Sequence, residues 1–130
     1  MRVRVFAVCA ALGAAVSLGV PAFAHHSNVA FIVTKVVTVT GVVKDFEWRN
    51  PHTWLTLTVD DGKGAKVDWA LEGRAPGVLL RAGWTRGSLK PGETVTVDMS
   101  PAKDGSKTGL IARVTKSDGT ILPNAPPPTE

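Results

Sequence analysis

Five stretches of this chain alternate apolar and polar residues with a period of two, and each ends in a cluster of Gly, Pro, Asn or Asp. Successive side chains of a strand point to opposite faces, so such stretches bury one face and wet the other. The longest, Lys35–Trp48 (KVVTVTGVVKDFEW), is interrupted by Gly41. A glycine inside a strand marks a bulge or sharp bend, which lets one strand serve two sides of a closing sheet. Arg49-Asn50-Pro51-His52 then supplies a turn, because Pro51 fixes its backbone and Asn50 favours turn hydrogen bonds.

The second run, Thr53–Asp60, sends Leu55, Leu57 and Val59 one way and Trp54, Thr56 and Thr58 the other. Asp61-Gly62-Lys63-Gly64 closes a hairpin into the third run, Ala65–Glu72. There Val67, Trp69 and Leu71 are expected inward, and Lys66, Asp68 and Glu72 outward. Pro76–Ala82 is the one plausible helix, with Pro76 at its first position, Gly83 at its end and Val78, Leu79 and Leu80 to plug a barrel. The fourth run, Glu93–Met99, points Val95, Val97 and Met99 inward, and the fifth, Leu110–Lys116, offers Leu110, Ala112 and Val114. From Pro123 the chain is proline-rich and reads as a loose tail.

Three strands, a short helix and two more strands, with a glycine-bent first strand, is the element order of an OB-fold. The expectation is an all-β, five-stranded OB-like barrel with one short helix between strands three and four. Some other small barrel or sandwich is the alternative. The expected divisions are an N-terminal arm at 25–34, the barrel at 35–122 and the tail at 123–130.

Residues 1–24 read differently. Arg2 and Arg4 precede an apolar stretch, Val5–Val20, that is too short for a comfortable membrane span of about 20 residues. Pro21 breaks it, and Ala22-Phe23-Ala24 places small residues where signal peptidase needs them. The segment is expected to be a secretory signal cleaved after Ala24, delivering the protein to the periplasm without stable membrane insertion. An uncleaved anchor is the competing reading. The lone cysteine, Cys9, leaves with that signal, so no disulfide staples the mature chain. The formal charge of +4 loses Arg2 and Arg4 and falls to +2, with the remaining charges scattered. A nucleic-acid surface needs concentrated Lys and Arg, so no nucleic-acid partner is expected.

Three histidines carry the candidate chemistry: His25, His26 and His52. Cleavage after Ala24 would free an α-amine on His25, and such amines titrate at roughly 7.7–8.0. That amine with the His25 ring, assisted by His26 or His52, makes a nitrogen-rich set suited to Cu(II). A copper-type metal-binding module is therefore the first expectation. Distance weakens it, because a straight first strand carries His52 about 45 Å away, whereas residues 25–34 span at most about 36 Å.

The rival is a metal-free module that binds a small ligand, envelope component or protein through the turn Trp48, Arg49, Asn50, His52 and Trp54. Strand parity places His52 and Trp54 on the outer face, where a large aromatic exposes costly apolar surface. In OB-folds the second and third strands commonly form the binding surface. A purely structural turn, with Trp54 covered, competes with that reading. Side-chain catalysis finds little support: there is no Gly-x-Ser-x-Gly elbow, and Ser88, Ser100, Ser106 and Ser117 have no histidine nearby in sequence. The Asp60-Asp61-Gly62 and Asp104-Gly105 turns lack the later ligands of a calcium loop.

Several short motifs recur together: Ala24-His25-His26-Ser27, Phe31, Thr40-Gly41, Trp48 with Asn50-Pro51-His52, Trp54, Asp61-Gly62, Trp69, Glu72, and Leu80-Arg81 with Gly83-Trp84. Leu89-Lys90-Pro91-Gly92, Ala102-Lys103-Asp104-Gly105 and Asp118-Gly119 complete the set. On these the chain resembles a family of uncharacterised secreted proteobacterial proteins, a domain of unknown function. The resemblance implies a small exported β-barrel and brings no activity. Members similar to this chain usually carry an acid after the phenylalanine, where Ile32 stands here; a cation site using that acid would be poorer by one oxygen. In element order the chain also looks like the periplasmic OB-fold stress proteins, which is a likeness of fold.

Overall fold

The structure is a computed structural model and describes residues 27–126. Its elements are α1 (Ser27–Ala30), β1 (Val37–Glu47), β2 (Trp54–Asp60), β3 (Lys66–Glu72), α2 (Pro76–Arg81), β4 (Thr94–Pro101), β5 (Thr108–Lys116) and β6 (Ile121–Pro123). The sheet runs β3-β2-β1-β4-β5-β6. It closes where β3 and β5 pair in parallel, with Ala70 opposite Thr108 and Glu72 opposite Leu110. This is the expected barrel, with its helix between the third and fourth strands and one short extra strand beyond β5.

β1 makes closure possible because it serves two neighbours. Val37–Val42 pair with β4, and Val42–Glu47 pair with β2. The handover falls beside Gly41, where an added Cβ would lie 2.7 Å from the Thr58 carbonyl oxygen and 2.9 Å from Val59 Cγ2. The missing side chain is what lets β2 cross there. The bulge itself sits further along: Val43 faces Leu57 and Asp45 faces Thr56, so Lys44 is the extra residue.

The inward faces of the strands meet as Val43, Leu55, Leu57, Leu71, Val95, Val97, Met99 and Val114, all buried. Leu79 of α2 and Trp84 after it close one end. Each buried aliphatic side chain of this kind contributes about 1.5–3 kcal/mol relative to exposure.

Three expectations from the sequence change here. In β5 the buried residues are Ile111 and Val114, while Ala112 is exposed and Leu110 half-buried. Asp98 faces Arg113 but Met99 faces Ile111, so Ala112 is a bulged residue that reverses the parity upstream of it. Glu72, expected outward and solvated, is buried. Pro123, expected to begin the loose tail, closes β6, and Asn124 behind it is buried. The reason is local bonding: Trp84 Nε1–H donates to the Pro123 carbonyl at 2.7 Å, and Asn124 N–H to that of Ala112 at 3.1 Å.

The arm is docked as well. Phe31 is buried and bridges to Ala102, with Ile32 N–H donating to the Pro101 carbonyl and Lys103 N–H to that of Ala30. No helix among the described residues is long and apolar enough to cross a membrane. The expected signal at 1–24 and tail residues 127–130 lie outside the described residues.

Candidate binding surface at the turn between the first two strands

The turn from Trp48 to Thr53 joins β1 to β2 and is anchored at its far end. Thr53 is buried, and both its N–H (3.2 Å) and its hydroxyl (2.9 Å) donate to the Arg74 carbonyl. Gly73 N–H donates back to the Thr53 carbonyl at 2.9 Å. A Cβ on Gly73 would stand 2.3 Å from Thr53 Oγ1, so glycine is what lets the two strand ends approach this closely.

His52 and Glu72 sit on this anchor. His52 Nδ1 lies 3.1 Å from Glu72 Oε1 and 3.2 Å from the Gly73 carbonyl oxygen. Both neighbours are acceptors, so Nδ1 carries the ring proton and donates to them. Glu72 is covered because the turn folds His52 over it, which strand parity alone could not reveal. Neither Thr53 nor Gly73 stood out in the sequence; the signal that could have found them is that both lie at strand ends that must meet if β2 and β3 pair.

The aromatic residues separate into two groups. Trp84 belongs to the core, and Trp48 and Trp69 pack against it. Phe46 links Trp48 and Trp84, with ring centroids 5.9 Å and 5.7 Å away. Lys107 Nζ sits 5.0 Å from the Trp69 ring centre. Trp54 does not join this group. It is half-buried on the outer face, opposite Glu47 of β1 and Glu72 of β3. Leu55 and Leu57, its neighbours in parity, are fully buried. Trp48, read from the sequence together with Trp54, thus turns towards the core.

Charge around Trp54 is mixed and local. Arg49, exposed, pairs with Glu47 at 2.7 Å, and Asn50 is exposed at the tip of the turn. Further along the same outer face, hydrogen bonds from Lys44 and Thr58 hold the Asp68 carboxyl below the usual carboxylate range.

The copper-type centre is corrected. Among the described residues no group of three His, Cys, Asp or Glu side chains could hold a metal ion. His52, the described member of the expected set, has its Nδ1 committed to Glu72 and Gly73. His25 and His26 lie outside the described residues.

A small closed barrel with an outward aromatic beside its first turn is the class of protein that this geometry defines. The chain belongs to the family of unknown function DUF6152, whose profile matches residues 14–113. A comparison with curated proteins gives no match. Among solved structures the chain is similar to Rim1, a mitochondrial single-stranded DNA binding protein from S. cerevisiae. The identity is 13%, with 70% of this chain and 97% of that chain covered and a TM-score of 0.47.

Proposed function

We propose that this is an exported, metal-free binding module acting in the periplasm, which engages a small ligand or protein partner through the outer face at the β1–β2 turn. One observation carries the reading: of four tryptophans, three pack into or against the core and Trp54 alone stands on the outer face. An indole there exposes apolar area that water disfavours, and a partner that covers it recovers that free energy. Tryptophan is also among the residues that dominate binding energy at protein interfaces. The anchor at Thr53, Gly73 and Arg74 holds the platform in place before binding, so little ordering cost falls on association. Export rests on the signal-like residues 1–24.

The test is a nitrogen-15 labelled spectrum of the folded protein titrated with fractionated periplasmic extract. The Trp54 indole signal and the amides of residues 52–56 should move or broaden with one fraction, and Trp54→Ala should abolish the response. Perturbation confined to other faces, or a response unchanged in Trp54→Ala, contradicts the proposal.

A further inference from the structure

Away from the turn, a cleft of about 230 Å³ opens between the arm, β4, β5 and the segment after β6. Val33, Arg74, Ser100, Leu110, Ala112 and Asn124 are among its lining residues. Its volume corresponds to roughly eight waters of bulk liquid, which suits a small molecule or the end of a chain.

Each polar side chain that lines the cleft can donate a hydrogen bond. Asn124 is 7% exposed, and its Oδ1 accepts the Arg74 N–H at 3.2 Å. That bond fixes the amide orientation, so the NH2 group is the end left to face the cleft, and it has no partner among the described residues. The backbone of Arg74 is held on both sides, its N–H by Asn124 and its carbonyl by Thr53, while its guanidinium makes no ion pair or hydrogen bond among the described residues. The Ser100 hydroxyl is likewise unengaged there. No carboxylate lines the cleft. Val33, Leu110 and Ala112 supply apolar wall, and Val33 is 54% exposed.

We propose that this cleft binds a small monocarboxylate with a short apolar tail. Its carboxylate would take two parallel N–H donors from Arg74, with the Asn124 amide and Ser100 hydroxyl beside it, and its tail would cover Val33 and Leu110. The planar guanidinium fork matches a carboxylate in both shape and charge. A single cation among apolar walls favours one negative charge over a phosphate dianion. The site uses no residue of the 48–54 turn, so it stands or falls independently of the Trp54 surface.

The experiment titrates hexanoate into the nitrogen-15 labelled full chain and follows the Asn124 side-chain amide and the Leu110 and Ala112 amides. Hexanol and hexylammonium serve as controls. Saturable shifts are expected with a dissociation constant on the order of a millimolar. Binding should weaken at least about tenfold in Arg74→Gln and in Asn124→Asp, and for both control ligands. Asn124→Asp keeps an oxygen to accept the Arg74 N–H, and it trades the donor for a negatively charged acceptor that also repels a bound carboxylate. The Trp84 indole signal, bonded to neighbouring Pro123, reports whether the fold survives. If Asn124→Asp loses that signal, Arg74→Gln decides, because its backbone bonds do not involve the substituted group. A parallel titration with N-acetyl-leucine and its amide distinguishes a peptide carboxyl end from a free acid, either of which supports the site. The proposal is overturned if hexanol binds as well as hexanoate, if Arg74→Gln binds like the wild type, or if no ligand saturates.

Discussion

Substituting Gly73 by alanine tests how the turn is anchored. The added Cβ would stand 2.3 Å from Thr53 Oγ1, more than an ångström inside ordinary contact. Thr53 is 1% exposed and short, so it cannot swing into solvent. Relieving the clash costs both the 2.9 Å bond of its hydroxyl to the Arg74 carbonyl, about 1 kcal/mol, and an overpacking strain as the strand ends part, about 1–3 kcal/mol. Gly73→Ala should therefore destabilise the barrel by about 2–4 kcal/mol, a large share of the roughly 5–15 kcal/mol available to a small domain.

Thr53→Ala alone should cost about 1–2 kcal/mol, because the Arg74 carbonyl keeps the Thr53 N–H. In that background the nearest contacts given for the new Cβ are the Cβ of residue 53 at 3.6 Å and its carbonyl oxygen at 3.7 Å, both ordinary. Gly73→Ala should then cost about 1 kcal/mol or less, which makes the coupling about 2 kcal/mol. Urea unfolding of all four proteins, followed by tryptophan fluorescence, measures the cycle, provided that the slopes agree. The reasoning fails if Gly73→Ala lies within about 0.5 kcal/mol of the wild type, or if it costs the same in both backgrounds.

Trp84→Phe removes the Nε1–H donor to the Pro123 carbonyl and part of a fully buried ring. A loss of about 2–3 kcal/mol is expected, with hydrogen exchange accelerated first at β6; uniform acceleration across the barrel contradicts the assignment. His52→Ala withdraws a donor from buried Glu72 and should cost about 1–2 kcal/mol in the same urea assay, whereas an unchanged midpoint would mean that the contact is idle. Asp98 accepts from Thr38 of β1 and Arg113 of β5, and these hydrogen bonds hold its carboxyl below the ordinary range. A depressed carboxylate stabilises the fold at pH values above its unfolded pKa, and that stability is lost as pH falls through its lower folded pKa. The acid limb of the urea midpoint should therefore be flatter in Asp98→Asn than in the wild type, and parallel limbs would contradict the role given to this carboxylate.

The barrel was legible because its signal is local. Alternation marks β1 to β5, Gly41 marks the crossing of β2, and Pro76 marks the start of α2 within the sequence itself. The errors arise where a partner strand decides. Ala112 bulges against Asp98 and Met99, and nothing in Leu110–Lys116 announces a skipped residue. Glu72 obeys parity and lies opposite Trp54, yet the His52 turn covers it. The outward placement of Trp54 followed from period two, whereas the inward turn of Trp48 depends on Phe46 and Trp84, residues two and thirty-six positions away in the chain. His52 looked like a metal ligand because imidazoles so often are, and only the fold shows its Nδ1 facing Glu72 and Gly73. Arg74 and Asn124 meet across fifty residues, a distance over which no sequence pattern speaks.

A photo-reactive amino acid placed at position 54 of the full chain, in the cells that make it, asks most directly whether the outward indole is where a partner docks. Illumination should give one discrete adduct at position 54 and none at position 48, which faces the core, or at position 118 in the turn before β6. Adducts of equal yield at positions 54 and 118, or none at position 54, would contradict a partner surface centred on Trp54.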